Sequence, residues 1–200
     1  MTEWKVKDLT YLMFFGLSEP PYTVSEFFLD VDKMPIAKRL LEWGIDAGEI
    51  PLTLNIPRGA VMAAYGSGEL AVRPASLAEH YPTDADKYIV LSHELAHFLQ
   101  YVEGRMDVER FSAKPPKLHE WSSLKEEVDA VRWGALQAKV MGMSKTEFDR
   151  LGRTSLPKEA YLMARQASLM IYSGKFPEEH GVQTMFRRPP VRVRQHRRRR

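Results

Sequence analysis

His93 and His97 stand four residues apart, with Glu94 directly after the first, and that trio can do hydrolytic chemistry. On an α-helix, positions i and i+4 share a face, so both imidazoles can turn toward one ion. The Glu94 carboxylate is then close enough to reach a water on the same metal. Zinc lowers the pKa of such a water to roughly 7, and a neighbouring carboxylate can take its proton. The product is a nucleophile fit to attack a peptide carbonyl. The chain has no cysteine, so disulfides and thiolate zinc sites are excluded, and any transition metal must be held by His, Asp or Glu.

The plainer alternative is a pair of partly exposed histidines on an amphipathic helix. Two features weigh against it. The chain has only six histidines, yet two fall at this spacing with a glutamate in the required place. The flanks Leu91-Ser92, Leu95-Ala96 and Phe98-Leu99 are also uncharged. A helix buried on nearly every side does not usually keep His, Glu and His without something for them to bind.

A catalytic zinc site wants three protein ligands and one open position. Downstream candidates are His119, Glu120, Glu126, Glu127, Asp129 and His180. On a helix opening at Ser122 or Ser123, the residues Leu124, Val128, Val131, Ala135 and Ala138 recur at helical spacing and mark the inner face. At about 100° per residue, Glu127 lies about 60° from Leu124, on the border of that face. Glu126 and Asp129 point away from it. Glu127 is therefore favoured as third ligand, with Glu126 and His119 as rivals.

With its uncharged neighbours, His93-Glu94-Leu95-Ala96-His97 resembles the His-Glu-x-x-His signature of the zincin metallopeptidases. Glu127-Val-Asp-Ala130, followed by Arg132-Trp-Gly-Ala135, is similar to the Glu-x-x-Ala helix of the glutamate-zincins, including small intracellular ImmA/IrrE-type members. Those families place Asp or Asn after the alanine to support the site, where this chain has Val131. A His119 ligand would instead resemble the three-histidine SprT/Spartan proteases, although its distance from His97 is long for them. The resemblance implies a zincin-like fold: a small twisted sheet lies before the motif helix, and substrate pairs with an edge strand. It also implies Zn2+ as cofactor, Glu94 as catalytic base, and a protein or peptide substrate cut as an endopeptidase would cut it. A zincin-like domain that no longer cleaves, serving a structural or nucleic-acid-associated role, is the alternative.

Several elements must position these residues. Ser25–Asp32 and Pro35–Trp43 read as short helices, and Leu52–Ile56 alternates like a strand. Val61–Tyr65 and Glu69–Arg73 flank Gly66-Ser-Gly68 as a β-hairpin. Pro74–Asp86 reads as a loop, with Thr83 or Asp84 capping a motif helix that runs to about Glu103 and stops at Gly104. After an irregular connection over 105–118, the second helix reaches about Val140. A short helix follows over Ser144–Leu151, and the last runs from near Ser155 to Gly174, with Leu156, Ala160, Met163, Ala167, Met170 and Ile171 on its apolar face. The expected class is α+β, a small sheet packed on several helices.

Two hundred residues, 44% hydrophobic and 28% charged, suit one globular domain, placed at 1–180 with its motif core at about 50–140. The apolar run Tyr11–Leu17 is too short to span a bilayer and has no signal-peptide pattern, so the expectation is a cytoplasmic protein without membrane contact. Residues 187–200 hold eight arginines and no acid; taking these from the formal +3 leaves −5 for the rest. That tail is expected to be disordered and to touch nucleic acid or another polyanion electrostatically, without reading its sequence. For oxyanion stabilisation the candidates are His119, Tyr161 and His180, none of them assigned as catalytic. His80 and His196 read as surface residues.

Overall fold

The computed structural model describes residues 4–8, 22–54, 61–65, 68–106, 125–155 and 158–174, and they form a mixed α+β structure. Its helices are α1 (Val24–Phe27), α2 (Pro35–Glu42), α3 (Pro74–His80), α4 (Asp84–Val102), α5 (Lys125–Val140), α6 (Lys145–Ser155) and α7 (Lys158–Tyr172). The strands are β1 (Tyr22–Thr23), β2 (Pro51–Thr53), β3 (Met62–Tyr65) and β4 (Glu69–Val72). They form one sheet in the order β1-β2-β4-β3. The central pair β2/β4 is parallel, with Leu52 opposite Leu70, and both outer pairs are antiparallel.

The hairpin expected at 61–73 is present, and its arm β3 is a sheet edge among the described strands. Arg73 donates its N–H to the Val61 carbonyl at 2.9 Å. Antiparallel pairs alternate, so residues 61, 63 and 65 turn their backbone groups toward β4, and Met62 and Ala64 turn theirs outward.

Three expectations need correction. Pro74–His80 is a helix and not a loop: Pro74 sits in the first turn, where a missing N–H costs nothing, and Leu77 is wholly buried. The helix expected over Ser25–Asp32 stops at Phe27. There the N-terminal segment intervenes, with the Leu29 N–H given to the Lys5 carbonyl at 3.1 Å and Val6 bridging Phe28. A 3-10 turn at Val31–Lys33 completes the stretch. The sixth helix also runs on to Ser155, four residues past its expected end.

Helix α4 begins where its capping residues put it. The Thr83 hydroxyl accepts the Asp86 N–H at 3.1 Å, and the Thr83 N–H donates to the Asp86 carboxylate at 3.2 Å. At the other end Gly104 takes φ +66°, and Arg105 donates back to the Gln100 carbonyl at 2.8 Å. Leu91, Leu95 and Leu99 on α4 are wholly buried, as are Leu52 and Leu70 of the sheet and Leu40 of α2.

Helices α4 and α5 run antiparallel along a common seam. The Ser92 hydroxyl donates to the Trp133 carbonyl at 3.0 Å. At Gly134 an added Cβ would sit 3.4 Å from both the Cγ2 and the carbonyl oxygen of Ile89. Nothing larger than a methyl fits between the helices there.

Candidate metal centre

Ile89, His93 and His97 follow one another at i+4 steps along α4, and Glu127 lies two turns before Gly134 on α5. The seam that closes at Ile89 and Gly134 therefore brings the three polar residues together. His93 Nε2 and His97 Nε2 are 3.1 Å apart. Glu127 Oε2 lies 3.3 Å from His93 Nε2, and Oε1 lies 3.3 Å from His97 Nε2. These three residues are a group that could hold a metal ion.

The distances suit that role. Ligand atoms about 2.0–2.2 Å from a tetrahedral ion stand about 3.3–3.6 Å apart, close to the observed edges. Glu127 is only 2% exposed, and its Oε2 is buried with no partner in hydrogen-bonding geometry. Three atoms able to ligate a metal face one another, one of them a buried carboxylate oxygen outside hydrogen-bonding geometry, and that arrangement suits a ligand set. The donors are two nitrogens and a carboxylate with no sulfur, which excludes a soft-metal thiolate site.

Burial disfavours a charged imidazole at His97, but the hydrogen bond and charge of Glu127 outweigh it and carry the pKa up to about 9. Burial likewise opposes ionised Glu127, and the two imidazoles overcome it, bringing the carboxyl down to about 2. The sign of the effect on stability follows from these directions. The His97 share is complete below its ordinary value of 6.5 and disappears as pH rises through about 9. The Glu127 share is complete above 4.5 and disappears as pH falls to about 2. In chelator-treated protein, the urea midpoint of the parent should exceed that of Glu127→Gln most between about pH 4.5 and 6.5. The gap should close as pH climbs past about 9; a gap that widens instead would remove the ion-pair account.

Glu94 turns toward the sheet. Its Oε2 accepts the outward N–H of Ala64 on β3 at 3.1 Å. The residue keeps some exposed surface, yet the protein surrounds its carboxyl closely. That burial raises its pKa above the ordinary range; His93 and His97 oppose the rise, and Glu127 adds to it.

The sequence-derived set His93, Glu94, His97 and Glu127 is thus gathered at one place. Among the described residues Glu126 contributes only its carbonyl, which accepts from the Gln100 amide at 2.8 Å. Asp129, expected to point away, is instead drawn in by Gln100 and Arg105, each at 3.1 Å. The Tyr161 hydroxyl accepts from Arg153 at 3.4 Å. His80 is exposed in the last turn of α3. His119, Glu120, His180, His196 and the arginine tail lie outside the described residues.

Sequence reasoning missed Gln100, which is wholly buried and bonds His97 Nδ1 through Oε1 at 3.0 Å. Its signal was its place three residues after His97, on the same helical face. It missed Ala64 as well, because a backbone donor leaves no mark on residue type. Val131, where related patterns carry a polar residue, is packed into the core.

Compared with known proteins, the chain matches no family model, no curated protein and no solved structure. Among the described residues, no helix is long and apolar enough to cross a membrane.

Proposed function

We propose that this protein is a zinc-dependent peptidase of the glutamate-zincin kind, cutting within extended protein segments. His93, His97 and Glu127 hold the metal, and Glu94 is the general base. The observation that carries this reading is the closed triangle of three donors, with the Glu94 carboxylate tied to a sheet edge beside it.

Zinc would supply Lewis acidity, making a water acidic and polarising the peptide carbonyl. The chain's own residues do the rest. Glu94 takes the proton of the attacking water and can pass it to the departing amine. Its raised pKa suits that exchange better than an ordinary surface glutamate would. The outward backbone of Met62 on the edge strand β3 is what an extended segment needs for pairing, while the outward N–H of Ala64 is taken by Glu94. This edge favours protein substrates over small molecules. The ligands come from two helices joined along their length, so the triangle is held before any substrate arrives.

The test is direct. Zinc-loaded protein incubated with an unfolded protein should release peptides with new N-termini detectable by mass spectrometry. Chelation should stop release, and re-addition of zinc should restore it. Zinc-loaded parent that releases no more than its chelated form would sink the reading, and a zincin-like protein that no longer cleaves would take its place.

A further inference from the structure

We propose that Gln100 is a positioning residue for the metal ligand His97, and that Asp129 and Arg105 set its orientation. The inference rests on the metal-site reading above and adds a residue to it.

The argument runs outward from which atoms can donate. One end of the Gln100 side chain lies 2.8 Å from the Glu126 carbonyl oxygen and 3.1 Å from Asp129 Oδ2. A carbonyl only accepts, and so does an ionised carboxylate. That end must therefore be the NH2 group, and the usual ambiguity of an amide is removed. The other end is then the oxygen, and it faces His97 Nδ1 at 3.0 Å. An amide oxygen only accepts, so Nδ1 carries a proton. Neutral His97 then has its lone pair on Nε2, the atom that faces His93 and Glu127.

What holds Asp129 in place completes the chain. Arg105 Nη1 donates to Asp129 Oδ2 at 3.1 Å, and Arg105 is itself clasped by Glu103 through Nε and Nη2, each at 2.5 Å. Glu103 in turn lies 3.5 Å from Arg39 on α2. Arg105 reaches this position because Gly104 reverses the chain at the end of α4, which also gives the Arg105 N–H to the carbonyl of Gln100. Gln100 is wholly buried, so water does not compete for its amide. A merely structural Gln100 would brace α4 to α5 and leave the choice of His97 nitrogen open. The assignment of donors and acceptors does more: it selects Nε2.

The experiment measures zinc affinity of the full chain by competition with a chelator, in the parent and in Gln100→Met, which keeps the length and removes the hydrogen bonds. Affinity should fall about 10–100-fold, the usual effect of losing a partner that orients a metal-bound histidine. Nitrogen NMR of zinc-loaded parent should show His97 protonated at Nδ1 and bound through Nε2, with an Nδ1 proton that exchanges slowly. A folded Gln100→Met that binds zinc as tightly as the parent overturns the proposal and leaves the metal site standing. Should that variant fail to fold, the parent's NMR decides: an unprotonated Nδ1, or metal on Nδ1, overturns it. A parent that takes up no zinc removes the site and this role together.

Discussion

Glu94→Gln should keep its fold and its zinc while losing about 10²–10⁴-fold in peptide turnover, the usual contribution of a general base. The amide has the shape of the carboxylate, and its oxygen can still accept the Ala64 N–H that Glu94 accepts at 3.1 Å. Burial already presses Glu94 toward its neutral form, so an uncharged replacement relieves strain on the fold. What the amide cannot do is take a proton from water. The measurement is turnover of zinc-loaded parent and variant at matched metal content. Equal rates would show that Glu94 is not the base, whatever the metal does.

Glu127→Ala should have the larger effect on metal. Parent protein is expected to carry about one zinc per chain, the load of a three-ligand catalytic site. The variant should be nearly empty after dialysis against a weak chelator, a greater loss than the 10–100-fold expected from supporting residues. Two imidazoles with their Nε2 atoms 3.1 Å apart remain, but a site of two ligands binds far more weakly. The metal-free variant stays foldable because His97, its carboxylate partner gone, can shed its proton near neutral pH. Glu126→Ala serves as the control: among the described residues only the carbonyl of that residue is engaged, so its zinc content should match the parent. Elemental analysis of the three proteins decides it. Zinc retained in Glu127→Ala and lost in Glu126→Ala would move the third ligand by one residue.

Much of this site was legible in the sequence because it is local. The His-Glu-x-x-His spacing needs only one helix, and Thr83 and Gly104 mark its ends through their own chemistry. Glu127 was reached by helical angle, with the Glu-x-x-Ala resemblance agreeing, and packing then turned that border position inward to 2% exposure. What escaped reading was non-local. Pro74 opens a helix as readily as it opens a loop, and the burial of Leu77 decided between them. The first helix was cut short by residues 4–8, distant in sequence from the site of the cut. Asp129 looked solvent-facing until the turn at Gly104 carried Arg105 back to it. Which hairpin arm forms the edge depends on β2 choosing β4, a pairing that neither arm encodes.

The packing of Gly134 against Ile89 has a consequence for how firmly the candidate site is held. A Cβ added at Gly134 would meet Ile89 at ordinary contact distance, 3.4 Å, so a side chain larger than alanine's would spread the two helices there. The bonds from Ser92 to Trp133 and from Gln100 to Glu126 keep them from drifting apart. The spacing of the candidate ligand atoms on the two helices is thus kept from widening. A metal site held in this way would lose little conformational freedom on loading, with a residue that has no side chain among the parts that hold it.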